Sequence, residues 1–232
     1  MNAVSSQVYF RVLTKKDYIQ KTQEIIKTEG REAASIRRIA REMGRSTASL
    51  YRYFKNQEEL IYYAERDQLS GYIRRLNEAE KNWHTVWDYY VGIWDCYCRE
   101  AFRNPDVFEL QFLKPDSGKP TDAIVEYYEM FPEAYEQTNE SFITMMKQQD
   151  FMARDFEVCK KCVAAGAISM EKAIQMNRMV CQMYKGYFKS VQENKFSEEM
   201  IDYFKSDEKL IVQYGEIKND GIYIWSICKT EK

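Results

Sequence analysis

The residues with the most chemistry in their types and spacing run from Ser35 to Lys55: Ser-Ile-Arg-Arg-Ile-Ala-Arg-Glu-Met-Gly-Arg-Ser-Thr-Ala-Ser-Leu-Tyr-Arg-Tyr-Phe-Lys. The small residues Ser46, Thr47, Ala48 and Ser49 sit among the cations Arg45, Arg52 and Lys55 and the phenols of Tyr51 and Tyr53. Such a set breaks no bonds. It recognises a polyanion, with hydroxyls and a methyl group for base edges and Arg, Lys and Tyr for phosphate oxygens. Two short helices must carry it. Ser35 can cap the first, its hydroxyl accepting an orphan backbone N–H. Ile36, Ile39, Ala40 and Met43 then fall at i, i+3, i+4 and i+7 and form one apolar face. Gly44 stands where that helix must stop, often with positive φ. Ser46 is placed to cap a second helix, whose apolar side is Leu50 with Phe54. The pattern is a helix-turn-helix. A mere helical hairpin with a polar surface would leave Tyr51 and Tyr53 beside Arg52 and Lys55 unexplained.

Ile39-Ala40, Gly44, Ser46, Leu50-Tyr51 and Tyr53-Phe54, followed by Glu58 or Glu59 with Leu60, resemble the TetR family (TetR/AcrR-like) of bacterial transcriptional regulators. The resemblance extends from residue 11 to 75. Two positions depart from it: Gln57 stands where the family usually has Lys, and Arg45 replaces a small aliphatic residue after the turn glycine. The resemblance implies that Tyr51 and Lys55 hold phosphates while Thr47, Ala48 and Ser49 face bases. Thr47 and Ser49 would donate or accept there, and Ala48 would meet a thymine methyl. Arg37 and Lys15 are expected as backbone clamps, and Ser35, Arg45, Ser46 and Arg52 complete the expected DNA-binding set. On a helical wheel Tyr53 packs inward beside Phe54.

Charge follows the same division. Through Arg75 the chain carries 15 Lys or Arg against 9 Asp or Glu, and the remainder carries 19 against 27. The basic footprint therefore coincides with the helix-turn-helix, while the acidic remainder repels a phosphate backbone. With 232 residues, 45% of them hydrophobic and 15% aromatic, the chain can bury a substantial core. It has no apolar run of transmembrane length and no signal-peptide pattern at Met1–Leu13, so no membrane partner is expected. The six cysteines are expected to stay reduced, and the protein to be cytoplasmic.

The apolar period predicts an all-α chain in two parts. Residues 1–77 form the DNA-binding domain: a helix from Thr14 to Glu29 with Tyr18, Ile19, Thr22, Ile25 and Ile26 inward, the helix-turn-helix, and a helix from Gln57 to Leu76. Residues 78–232 form a helical domain for effector binding and dimerisation. Its helices are expected from Trp83 to near Asn104-Pro105, Val107 to Leu113, Thr121 to Met130, Pro132 to Gln149, Ala153 to Ala165, Ser169 to Asn194 and Ser197 to Gln213. Lys114 to Pro120 reads as a loop. The tail from Gly215, with Ile222 to Ile227, reads as either a strand or an ordered plug.

In this second part the aromatic stripe has two readings. It is core, or else Trp87, Tyr90, Trp94, Tyr127, Phe131, Phe142 and Met146 line a pocket for an apolar or aromatic effector. The resemblance favours the pocket. The helix from Ser169 to Asn194 is apolar on more than one face, so Ile174, Val180, Cys181, Tyr184 and Phe188 are either buried internally or a subunit interface. The resemblance favours a homodimer, with the Ala153–Ala165 helix as the second element. Cys159 and Cys162 share a helical face, but with one His and no second pair no metal is predicted. No cofactor is predicted, and nothing assembles a catalytic constellation. The resemblance thus implies a repressor bound as a homodimer to a palindromic double-stranded DNA operator and released by a small-molecule effector. The rival is a DNA-binding architectural factor, or one controlled by a protein partner.

Overall fold

The computed structural model describes residues 12–114, 122–136, 138–148, 150–194 and 197–215, all helix and turn with no strand among them. The chain is all-α. The expectations for Met1–Leu13, for the Lys114–Pro120 loop, for the tail beyond Gly215 and for Cys228 lie wholly or mainly outside those residues. Two compact units meet in the chain between Asp67 and Gln68.

In the first unit, α1 (Lys15–Glu29) opens at Thr14, whose hydroxyl accepts the Asp17 N–H while the Asp17 carboxylate accepts the Thr14 N–H at 2.7 Å. This reciprocal cap satisfies two orphan donors. Tyr18, Ile19, Thr22 and Ile25 are buried, and Ile26 is only half-buried. α2 (Ile36–Glu42) and α3 (Thr47–Tyr51) follow, then α4 (Gln57–Glu65). Arg38 pairs with both Glu29 and Glu42, and Lys21 reaches Glu42 at 3.0 Å, so ion pairs tie α1 to α2.

The helix expected from Gln57 to Leu76 is broken. α4 ends at Glu65, a 3₁₀ turn occupies Arg66–Leu69, and α5 (Ser70–Ala79) starts afresh. The unit boundary falls in that turn rather than at residue 77. The 3₁₀ turn is tighter than an α-helix and marks the end of one apolar register.

In the second unit, α6 (Val86–Ala101) starts later than expected because Thr85 and Asp88 form a capping box, which leaves Trp83 outside the helix. α7 (Pro105–Phe108) runs into a π-type turn over Glu109–Leu113. α8 (Ala123–Met130) follows. The helix expected after Pro132 is instead a 3₁₀ turn, Pro132–Tyr135, and a separate α9 (Glu140–Lys147) capped by Asn139. α10 (Phe151–Ala164) and α11 (Met170–Asn194) form a hairpin that turns at Gly166, φ 71°, and α12 (Glu198–Gly215) packs on α11 and α6. Between these four helices Trp94, Tyr97, Phe151, Tyr184 and Phe204 meet with ring centroids 5.2–6.1 Å apart, mostly tilted or edge-on as aromatic quadrupoles prefer.

Gly92 on α6 has one function the spacing alone does not reveal. A Cβ there would fall 2.2–2.5 Å from three atoms of the Trp83 indole, which packs on Tyr89 and Phe142. Gly92→Ala is expected to cost about 1–3 kcal/mol of unfolding free energy through this overpacking, read by chemical denaturation. An unchanged midpoint would mean that the indole moves freely aside.

Candidate functional site

The helix-turn-helix is built locally. Ser35 caps α2 by accepting the Arg38 N–H at 3.3 Å. Ile36, Ile39 and Ala40 are buried, and Leu50 and Phe54 are at most 1% exposed. Gly44 adopts φ 62°, and the Arg45 N–H closes the turn on the Ala40 carbonyl at 2.8 Å. Ser46 occupies the cap position of α3, but its side chain makes no capping bond, contrary to the expectation. Instead its carbonyl accepts from the Ser49 hydroxyl. That spends the Ser49 proton, so Ser49 is left to accept rather than donate. α3 is only five residues long, and Phe54 packs from the turn beyond it.

Most of the expected residues are accessible to solvent. Arg37, Ser46, Ala48, Tyr51, Arg52 and Lys55 are exposed, and Ser35, Arg45, Thr47 and Ser49 are half-exposed. Tyr51 is 56% exposed, unusual for so large a ring. Arg37, Arg52 and Lys55 have no carboxylate within 4 Å among the described residues, whereas Arg38 beside them is committed to Glu29 and Glu42. Lys15 is half-buried, and its ammonium lies over the Tyr63 ring at 4.0 Å and the Phe54 ring at 5.5 Å, a cation–π contact. Tyr53 is half-buried against Tyr18, and its hydroxyl donates to the Leu13 carbonyl at 3.2 Å. Of the two acidic candidates Glu59 is the structural one: buried, it accepts the Lys55 N–H at 2.7 Å, while its own N–H donates to Asn56 at 2.8 Å. Gln57 is exposed.

Of the residues expected to line an effector pocket, Trp87, Tyr90, Tyr127, Phe131, Phe142 and Met146 are at most 5% exposed, with Tyr127 stacked on Phe131 at 4.7 Å. Trp94 does border a cavity, of about 20 Å³, together with Tyr72, Tyr97, Phe151, Arg154 and Asp155. That is room for a group the size of one water.

Two acids of the second unit, Asp155 and Glu208, are buried where the sequence pattern gave no expectation of them. Asp155 is buried and accepts from Trp94 Nε1 at 2.8 Å, Asn177 Nδ2 at 2.7 Å and the Tyr90 hydroxyl at 3.3 Å. Burial pushes its carboxyl up to about 6 against the pull of these hydrogen bonds. Glu208 on α12 is fully buried with neither carboxylate oxygen hydrogen-bonded. Helical register was the available signal. Asp155 continues the face of Phe151, Val158 and Cys162, and Glu208 that of Ile201, Phe204 and Val212. Cys96, Cys98, Cys159, Cys162 and Cys181 are buried free thiols. Burial pushes Cys96 and Cys162 up to about 12, which makes them poor nucleophiles.

Burial also raises the Glu208 carboxyl well above its ordinary value, so the folded chain binds that proton more tightly than the unfolded one. Folding stability is then undiminished by this group below the ordinary carboxylate range. It falls as pH rises, by about 1.4 kcal/mol per unit until the folded pKa is reached. Glu208→Met is expected to stabilise the protein, by a margin larger at pH 7.5 than at pH 5 in parallel denaturation curves. A margin independent of pH would show that Glu208 is ionised and partnered.

The expected interface residues are corrected too. Val180, Cys181, Tyr184 and Phe188 are at most 2% exposed, because α11 is packed against α10, α12 and α7 within one chain. Only Ile174, 51% exposed, remains on the surface. With it stand Met170 and Met179 on α11 and Tyr203 and Leu210 on α12.

Fold and surface together define a helix-turn-helix protein with a helical second unit. Residues 19–64 match the family described as bacterial regulatory proteins, tetR family. Over 81 residues the chain is 32% identical to an HTH-type transcriptional regulator of Staphylococcus aureus (strain bovine RF122 / ET3-1), a stretch covering 32% of this chain and 44% of that one. Over 60 residues it is 33% identical to another from strain USA300, covering 26% and 32%. The chain thus spans less than half the length of the curated relatives it matches. Among solved structures, Thermus thermophilus FadR, a TetR-family transcriptional repressor in complex with lauroyl-CoA, superposes with TM-score 0.57 at 12% identity. That match covers 90% of this chain and 99% of FadR. A protein of unknown function from Rhodococcus sp. RHA1 gives 0.52 at 15% identity, covering 90% and 98%. The helix-turn-helix unit is thus similar to the DNA-binding region of the tetR family, and the whole chain shares the fold of these solved structures.

Proposed function

We propose that this chain is a cytoplasmic transcriptional repressor that binds double-stranded DNA as a homodimer and is released by a small effector. The observation that carries the DNA reading is the exposed Tyr51 on a helix-turn-helix that also carries Arg37, Arg52 and Lys55, cations with no carboxylate within 4 Å among the described residues. Tyr51 and Lys55 hold phosphates, with Arg37 and Arg52 beside them; Thr47 and Ala48 face bases, and Ser49 accepts. Ser35, Arg45 and Ser46 lie at the margin of that surface. Dimerisation uses Met170, Ile174 and Met179 on α11 with Tyr203 and Leu210 on α12, since these are the large apolar side chains those helices leave exposed. Two-fold symmetry then puts two recognition helices about 34–36 Å apart on a palindrome. The effector acts by binding one arrangement of the dimer better than the other.

The rival, a factor controlled by a protein partner, draws support from the small size of the cavity beside Trp94, although clefts of about 350 and 390 Å³ open elsewhere in the second unit. The test is the stoichiometry of titration on a duplex bearing one palindrome. Two chains per duplex, with protected half-sites one helical turn apart, are expected. One chain on a single half-site would refute the dimeric reading.

A further inference from the structure

Arg154 on α10 is the second unit's unexplained charge. Its side chain is 4% exposed and no carboxylate lies within 4 Å of it among the described residues. Nη1 has no hydrogen-bond partner, and Nη2 lies 2.6 Å from the thioether of Met146, a weak acceptor that carries no charge. The guanidinium instead sits 4.0 Å over the Phe112 ring, with the Tyr72 and Tyr97 rings at 5.6 and 5.7 Å. Rings supply part of what water gave the cation, but no counter-charge. Arginine cannot escape by losing its proton. Asp155 beside it is no substitute, because both its oxygens already accept from Trp94, Asn177 and Tyr90. Arg154 faces the small cavity, whose other walls include Trp94, Phe151, Met145 and Val158. A guanidinium with Nη1 unpartnered and no counter-charge, facing a chamber walled mostly by aromatic and aliphatic side chains beside Asp155, matches one ligand chemistry: a planar anion on an apolar body.

We propose that the second unit binds a small organic monocarboxylate, its head paired to Arg154 and its apolar body between Trp94, Tyr97 and Phe151. This rests on the effector reading above and names the effector's class. The chamber now has room for a head group only, so the body enters by displacing Met145, an unbranched wall that re-packs easily.

The experiment is thermal unfolding of the full chain without DNA, against benzoate, phenylacetate and hexanoate and the neutral amide of each. At least one carboxylate is expected to raise Tm and to bind about tenfold or more tighter than its amide. Arg154→Met, without ligand, is expected to unfold at or above the wild-type temperature, since it removes an uncompensated charge, and to lose the carboxylate's protection. Arg154→Lys keeps the charge without the fork and should retain weaker protection. Three results would overturn the proposal: no carboxylate protects the wild type, amide and carboxylate protect alike, or Arg154→Met unfolds well below wild type. The last would make Arg154 a structural cation. Because no DNA is present, these outcomes stand apart from the regulator reading, which fails only if the chain binds no duplex.

Discussion

Tyr51→Ala combined with Lys55→Ala is expected to lower affinity for a specific duplex about a hundredfold or more and to leave thermal stability unchanged. Each residue would contribute a hydrogen bond to an anionic phosphate, worth about 1.5–3 kcal/mol. Two such losses approach the energy of two decades in affinity or exceed it. Lys55 also releases a counterion, so the slope of log affinity against log salt should become shallower by about one. Stability is spared because Tyr51 and Lys55 are exposed and support no core. Fluorescence anisotropy at several salt concentrations, with a melting curve beside it, separates the two effects. Unchanged affinity would remove Tyr51 and Lys55 from the interface.

The largest effect on stability is expected at Trp94. Its ring touches Tyr97, Phe151, Tyr184 and Phe204, and its indole N–H donates to buried Asp155. Trp94→Ala opens a cavity at the centre of four helices, costing about 3–5 kcal/mol, and strips a donor from a buried carboxylate. Trp94→Phe isolates the second term at about 1–3 kcal/mol. It should also move Asp155 upward from about 6, because the lost hydrogen bond favoured the ionised form. Denaturation curves give the first quantity and an NMR titration of the Asp155 carboxyl the second. If Trp94→Phe left that titration where it was, the indole–carboxylate bond would carry no weight.

The helix-turn-helix was legible because its determinants are local. A cap at Ser35, a positive φ at Gly44 and an apolar triplet at Ile36, Ile39 and Ala40 each act within one or two turns. The break after α4 was also written in the chain, as the five-residue step from Ala64 to Leu69, which no single α-helical face accommodates. Trp87, Phe142 and Tyr184 were hidden for a different reason. Composition tells that an aromatic side chain leaves water, not whether it meets a ligand, a second subunit or another ring of its own chain. α11 looked too apolar for one core because its neighbours α10, α12 and α7 surround it within a single chain. Asp155, Glu208 and Arg154 were legible only as polar residues in core register, a signal obscured by the assumption that charges face solvent.

If the proposed symmetric pair reads DNA sequence through α3, selection from random-sequence duplexes at controlled salt is expected to enrich a palindrome whose half-sites are about one helical turn apart, the enrichment being abolished by Tyr51→Ala with Lys55→Ala. Salt-sensitive binding with no enriched sequence would contradict that reading, leaving only the non-specific attraction of a basic surface for phosphate.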